Sequence, residues 1–252
     1  MVDGSRTGAV LIDIRTVAET GSTNADLLAL ATGGSAGSPV EGLWLRAERQ
    51  TGGRGRQGRP WQSPPGNLYA STILYLRPAD SPAASLALVA AVALDEAVRV
   101  FVEAAAATSL ALKWPNDLLA GAAKLSGILL ERTGDAVVIG FGVNLAHHPD
   151  LPDRPTTSLA ALGAPVDPAT FLEVLGETMA RWRDRWRADG IEPVRRRWLE
   201  RAHPTGTALT ARLPDATMVD GLFDGLDAQG ALLLRLAGGE RRVIHAADIF
   251  LI

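Results

Sequence analysis

Residues 52–59 pack four glycines and three arginines (Arg54, Arg56, Arg59) into eight positions. Glycine lets the backbone close over a ligand, and each arginine brings a planar fork of donors suited to a carboxylate or a phosphate. No Gly-Lys-Ser/Thr ending occurs and no helix follows, so the run is neither a Walker loop nor a dinucleotide fingerprint. It reads as a loop gated by an anionic ligand. A second run, Lys113-Trp114-Pro115-Asn116-Asp117, sets a cation, an amide and a carboxylate within five residues. Pro115 stops a strand there, and Asn116 and Asp117 are expected to project from a turn. A third run, Lys124 to Glu131 (KLSGILLE), opens an apolar strand with a lysine. A lysine at that mouth, beside the arginine loop, could hold an acyl carboxylate and the attacked α-phosphate together, neutralising charge that develops in an in-line displacement. In Gly140-Phe141-Gly142-Val143-Asn144, glycines stand where a strand must approach a ligand or another backbone closely.

Composition sharpens this set. The chain has 23 arginines but only two lysines, Lys113 and Lys124, and only four asparagines, at 24, 67, 116 and 144. Where the surface has drifted to arginine, a retained lysine or asparagine points to a need for a compact rotatable charge or a paired donor and acceptor. Net charge is −3, yet residues 49–79 hold five arginines and no acid. A cationic window in an acidic chain fits a local anion site, and it argues against a general nucleic-acid binder. Two other candidates read as structural. Trp182 and Trp186 lie one helical turn apart among arginines, which describes a core face with solvated charges. His147-His148 lacks a third ligand at metal spacing and is assigned to a loop, so no metal site is expected.

The elements that must position these groups follow from pattern. Val10–Ile14 is a short β-rich run, and Ser22-Thr23-Asn24 caps a helix that begins at Ala25. Residues 33–42 are a Gly/Ser loop, and Leu43–Ala47 and Leu68–Leu76 read as strands. Pro82 opens a helix to about Ala107, and three short strands follow at 111–114, 125–131 and 136–142. Helices are expected from Pro168 to about Ala188 and over 191–201. After Pro204 the pattern turns to short alternating runs (208–213, 232–236, 242–246), a small β-barrel or sandwich. The large domain, residues 1–203, therefore reads as α+β, with a second domain over 204–252. With 47% hydrophobic residues and no cysteine, the chain is a globular protein without a disulfide framework or thiol nucleophile. No secretory signal or membrane span is legible, which sets a cytoplasmic location as the expectation.

The ordered motifs resemble bacterial biotin protein ligases: Gly-Ser-Thr-Asn (21–24), Gln50 ahead of residues 53–59 with Trp61, Gly-Asn-Leu-Tyr (66–69), and the runs at 113–117, 124–129 and 140–144. Both lysines and all four asparagines fall within them. The resemblance covers the whole chain. It implies a class II synthetase-like α+β catalytic domain with a mixed sheet, plus a small C-terminal SH3-like barrel. It also implies conversion of biotin and Mg-ATP to biotinyl-adenylate, followed by transfer to a lysine of a biotin carboxyl carrier domain. By the same resemblance, biotin would be held by Ser22, Thr23, Asn24, Gln50, Gly53, Arg54, Gly55, Arg56, Lys124, Gly127 and Gly142. ATP would be held by Arg56, Arg59, Trp61, Asn116, Lys124 and Asn144. Lys124, Arg56 and Asp117 would be catalytic, with Asp117 orienting or deprotonating the acceptor lysine. The 52–59 loop would order over the adenylate and exclude water.

About twenty residues precede Ser22, too few for the DNA-binding winged helix of the repressor-type members, so no operator binding is expected; a monomer or a homodimer fits equally. The segment before Lys124 also departs from the family, reading Gly-Ala-Ala where a basic or polar residue is usual. The nearest rival is a lipoate or octanoate ligase or transferase of the same fold. It is disfavoured because the chain has neither cysteine nor an Arg-Arg-x-Ser-Gly-Gly-Gly loop. A noncatalytic Arg/Gly-loop binding module is the reading from another class.

Overall fold

The computed structural model describes residues 12–33, 37–152 and 154–251. A seven-stranded mixed sheet runs through the first two-thirds. Strand β1 (Ile14–Thr20) pairs parallel to β2 (Trp44–Gln50) across helix α1 (Thr23–Thr32). Next come β3 (Leu68–Tyr75), helix α2 (Leu86–Phe101), the one-turn α3 (Ala104–Ala107) and β4 (Leu110–Lys113). They are followed by β5 (Asp117–Ala120), β6 (Ala123–Thr133), β7 (Ala136–Val143), α4 (Pro168–Asp189) and α5 (Glu192–Arg201). The sheet order is β1-β2-β3-β7-β6-β5-β4, and every pair after β1·β2 is antiparallel. Alternation splits the sheet's two faces. Trp44, Ala70 and Leu74 join the main core with α2 and α4, while Leu45, Ile73 and Val138 join Leu27 of α1 in a smaller cluster on the other side. Trp182 and Trp186 are buried in the main core, as their spacing predicts.

A second sheet follows, antiparallel in the order β11-β10-β9-β8-β12. Its strands are β8 (Ala208–Arg212), β9 (Met218–Leu226), β10 (Leu232–Arg235), β11 (Arg241–Ile244) and β12 (Asp248–Leu251). Its apolar side continues the main core. Trp198 of α5 meets Phe223 edge-on at 6.4 Å, and Trp114 Nε1 donates to the Gly230 carbonyl at 3.1 Å.

Several expectations need correction. The first strand starts at Ile14; residues 10 and 11 lie outside the described residues. The helix expected to run to Ala107 breaks at Val102, whose backbone is extended. Arg99 explains the break: it pairs with Asp95 and donates to the carbonyls of Ala107 and Leu110, folding the chain back on itself. Thr23 and Asn24 lie inside the first turn of α1, with Ser22 as its N-cap. Asp117 does not project from a turn. It opens β5, paired with Lys113 and Gly127. Strands β9 and β12 have no counterpart in the sequence reading.

Candidate active site

A cavity of about 500 Å³ opens on the α1 side of the sheet, between α1, residues 54–62, the β6 and β7 strands and the edge of β12. Its shape depends on missing side chains. A Cβ at Gly140 would fall 2.2 Å from Asn24 Oδ1, and one at Gly142 would fall 2.6 Å from the Trp61 ring. Trp61 also covers Gly127, where a Cβ would lie 3.3 Å from its ring. Glycine at these positions lets Asn24 and the indole lie directly on the sheet.

One end of the cavity is polar and uncharged. Gln50 Oε1 accepts from the Thr23 backbone N–H at 2.9 Å, and Thr23 Oγ1 lies 2.7 Å from Ser71 Oγ. Ser71 donates to Asn24 Oδ1 at 2.6 Å, and Asn24 Nδ2 donates to Glu131 at 2.8 Å. Thr23, Asn24 and Ser71 are all buried, so each bond is made in a low-dielectric setting where leaving it unmade would be costly.

The other end is charged. Asp117 accepts from Lys124 Nζ at 2.6 Å and lies 3.7 Å from Lys113 Nζ, which donates to the Ile249 carbonyl of β12 at 3.0 Å. Burial is the main influence on Lys113, pulling its pKa below the ordinary lysine value, and the nearby Lys124 adds to the effect against the opposing pull of Asp117. Arg56 donates to the Ala247 carbonyl at 3.1 Å, and burial likewise lowers its pKa from the usual guanidinium value. Asp248 binds Arg59 and, at 2.7 Å, Arg212. Burial raises the Asp248 pKa, but hydrogen bonds from Arg212 and Arg59 outweigh it and hold the carboxyl below its usual range. Lys124 Nζ stands 5.6 Å from the centre of the Trp61 ring.

Of the candidate residues, Ser22, Thr23, Asn24, Gln50, Arg54, Gly55, Arg56, Arg59, Trp61, Asn116, Asp117, Lys124, Gly127, Gly142 and Asn144 all border this cavity. Gly53 does not. It packs behind the loop, where a Cβ would fall 2.8 Å from Ser63 Oγ and 2.9 Å from the Trp61 carbonyl. Asn116 and Asn144 spend their amide N–H groups on the carbonyls of Ile128 and Thr157. The fourth asparagine, Asn67, is structural: its Oδ1 caps the N–H groups of Leu145, Ala146 and His147.

Sequence reasoning gave no site role to Lys113, Ser71, Glu131 or Asp248. The scarcity of lysine flagged Lys113, and the polar Ser71-Thr72 pair inside an apolar strand was a usable signal. Nothing local connects Asp248 to Arg59, 189 residues away.

No cluster of three or more His, Cys, Asp or Glu is placed to hold a metal among the described residues. The carboxylates nearest the cavity, Asp117, Asp248 and Glu131, are each paired with a cation. No described helix is long and apolar enough to cross a membrane.

A mixed-sheet domain backed by a small antiparallel sheet thus carries one cavity, with neutral polar side chains at one end and cations at the other. The model of the biotin/lipoate A/B protein ligase family matches residues 37–144, and that of the biotin protein ligase C-terminal domain matches 208–252. A biotin–[acetyl-CoA-carboxylase] ligase of Paracoccus denitrificans is 40% identical over 93% of this chain and 98% of its own length. One of Mycobacterium tuberculosis is 36% identical over 98% of this chain and 91% of its own. Among solved structures, the biotin protein ligase of Aquifex aeolicus in complex with biotin and ATP shares the fold (TM-score 0.81, 22% identity, 96% of this chain and all of that one). That of Leishmania major in complex with biotinyl-5-AMP has a TM-score of 0.64 at 26% identity, over 94% of this chain and all of that one. The chain belongs to the biotin protein ligase family.

Proposed function

We infer that the protein is a biotin–[acetyl-CoA-carboxylase] ligase that forms biotinyl-5′-AMP from biotin and Mg-ATP and transfers biotin to a lysine of a carrier domain. The observation that carries this reading is the polarity of one continuous cavity. Its uncharged end, at Thr23, Asn24 and Gln50, suits a ureido ring of N–H groups and a carbonyl. A dithiolane ring or an alkyl chain offers neither a donor for the Thr23 hydroxyl oxygen nor an acceptor for the Gln50 amide, which disfavours lipoate and octanoate. Its charged end carries Arg56, Arg59, Lys113 and Lys124 against two carboxylates, leaving positive charge for an acyl carboxylate and a phosphate.

Chemistry follows from placing the acid between these ends. The biotin carboxylate takes Lys124 from Asp117, and its oxygen attacks the α-phosphorus of ATP as the bond to pyrophosphate breaks. Lys124 and Arg56 oppose the charge gathering on the phosphoryl oxygens. Trp61, lying over Gly142, offers an aromatic face to the nucleotide base, with Arg59, Asn116 and Asn144 on the same side. Asp117, released from Lys124, then orients the acceptor lysine and takes its proton as the amine attacks the acyl carbonyl and AMP leaves. Ser22, Arg54, Gly55 and Gly127 complete the biotin wall, and Mg²⁺ enters with the phosphates. Residues 1–203 supply this chemistry, and residues 204–252 brace it through Asp248.

The test is transfer itself. The protein, biotin and Mg-ATP are incubated with a carrier domain and with its acceptor-lysine→Arg variant, and the products are read by mass spectrometry. One biotin on the intact domain and none on the variant is expected; no adduct on either would overturn the reading.

A further inference from the structure

The neutral end of the cavity has a fixed hydrogen-bond direction, and it can be traced to one residue that does not border the cavity. Asn24 Nδ2 lies 2.8 Å from Glu131 Oε2 and 3.3 Å from the Leu129 carbonyl. Both neighbours are acceptors, so that end of the amide must be the nitrogen, and Oδ1 is turned toward Ser71, 2.6 Å away. An amide oxygen only accepts. Ser71 therefore commits its single proton to Asn24, and only its lone pairs remain for Thr23 Oγ1 at 2.7 Å. The proton of Thr23 is drawn inward as well, to Ser71 or to Gln50 Oε1 at 3.2 Å. Thr23 is left with a lone pair to offer a ligand. Gln50 is set from the other side: its Oε1 accepts the Thr23 N–H, so its Nε2 is the end available to donate.

We propose that Glu131 is a positioning residue that sets the donor–acceptor polarity of the head-group end through Asn24, Ser71 and Thr23. The result is an acceptor at Thr23 for a ring N–H, beside the donor that the Thr23 backbone N–H independently sets at Gln50, together the complement of a cyclic urea. This rests on the biotin reading above and adds the residue that enforces it. The second oxygen of Glu131 pairs with Arg54 at 3.0 Å, but with side chains 25% and 40% exposed that ion pair contributes little alone. The buried relay explains the carboxylate better. An acid at residue 131 can only accept, so it permits one orientation of Asn24 and hence one direction for every bond that follows. A carboxamide there can also donate, which leaves only the Leu129 carbonyl, at 3.3 Å, to hold that orientation.

The experiment is a double-mutant cycle on biotin binding, without ATP, by calorimetry on the full chain: wild type, Glu131→Gln, Ser71→Ala and the double variant. Glu131→Gln is expected to weaken biotin binding about tenfold, in the range of a hydrogen bond to a charged group. In the Ser71→Ala background, where the relay is already cut, the same change is expected to cost about twofold or less. Steady-state exchange should show the matching split, with a raised KM for biotin while the KM for ATP and kcat stay within about twofold of wild type. An equal loss in both backgrounds would mean that Glu131 acts through Arg54 or the fold, and no loss would mean that it does not act; either overturns the proposal. Should Glu131→Gln not fold, unchanged biotin affinity in Ser71→Ala overturns the relay by itself. A wild-type chain that binds no biotin would sink the underlying reading, a failure visible before any variant is made.

Discussion

At the α1 end of the cavity, Thr23, Asn24, Gln50 and Ser71 hold one another by neutral hydrogen bonds between α1 and the sheet. At the barrel end, Arg56, Arg59, Lys113 and Lys124 are held by two carboxylates and by carbonyls of a different domain. The first end is made within one rigid sheet-and-helix layer, and its groups have few other arrangements open to them. The second is made of long side chains and a loop, with partners that a ligand can replace: Lys124 can leave Asp117 for a carboxylate, and Arg56 can leave Ala247 for a phosphate. A fixed end suits recognition of an uncharged head group, where geometry alone discriminates. An exchangeable end suits a reaction in which charge moves from carboxylate to phosphate to leaving group.

The largest effect is expected at the exchangeable end. Lys124→Ala should lower the rate of adenylate formation by about a hundredfold or more, the scale of losing one electrostatic stabiliser, while the melting temperature stays close to wild type. Adenylate formation at the wild-type rate would remove that lysine from the mechanism. At the fixed end, Gly140→Ala drives a methyl group into Asn24 Oδ1 and should weaken biotin binding by about ten- to a hundredfold, with much less effect on ATP. If ATP binding fell and biotin binding held, the two ends would have been assigned the wrong way round. Arg56→Gly, in the loop, should slow adenylate formation less than Lys124→Ala does and also let adenylate escape, seen as several-fold more bystander labelling per adenylate formed, on the order of losing one charge-assisted hydrogen bond. Unchanged selectivity in a mixed-protein assay would separate Arg56 from retention.

Asp248→Asn should have the smallest effect, a melting temperature lower by about 2–6 °C at neutral pH, because amide for acid weakens three arginine contacts without emptying the site. The sign with pH is fixed by the direction of the shift. A carboxyl held below its usual range in the folded state stabilises the fold above that range, and the contribution is lost as pH falls through the folded value. Wild type and Asp248→Asn should therefore converge below about pH 4. A difference that persists in acid would mean that the arginine contacts are not what Asp248 contributes.

How much of this was legible beforehand follows the same division. Much of the fixed end is legible through the resemblance because its groups sit in short local motifs, Ser22-Thr23-Asn24 at a helix start and Gln50 before the glycine loop; Ser71 and Glu131, which join it from across the sheet, are not. The lysines stood out because arginine had taken nearly every other basic position. What was missed is non-local. Asp117 lies in a strand because Lys113 and Gly127 pair with it across two hairpins, and a turn-rich run such as Trp114-Pro115-Asn116 gives no sign of that pairing. Asp248 joins the site from the last strand of the barrel; β9 is hidden because Asp and Gly interrupt its alternation, and β12 because its four residues are too short a run to show any. Glycines in a binding loop look alike in sequence, and only the fold shows that Gly55 borders the cavity while Gly53 packs behind the loop.

The most direct test of a cavity with a neutral head-group end and a charge-exchanging end is ATP–pyrophosphate exchange with biotin, lipoate and octanoate supplied separately. Exchange that depends on biotin is expected, with the other two acids near background. Equal exchange with lipoate would show that the uncharged end does not select a urea. No exchange with any acid would show that the cationic end holds a ligand without activating it.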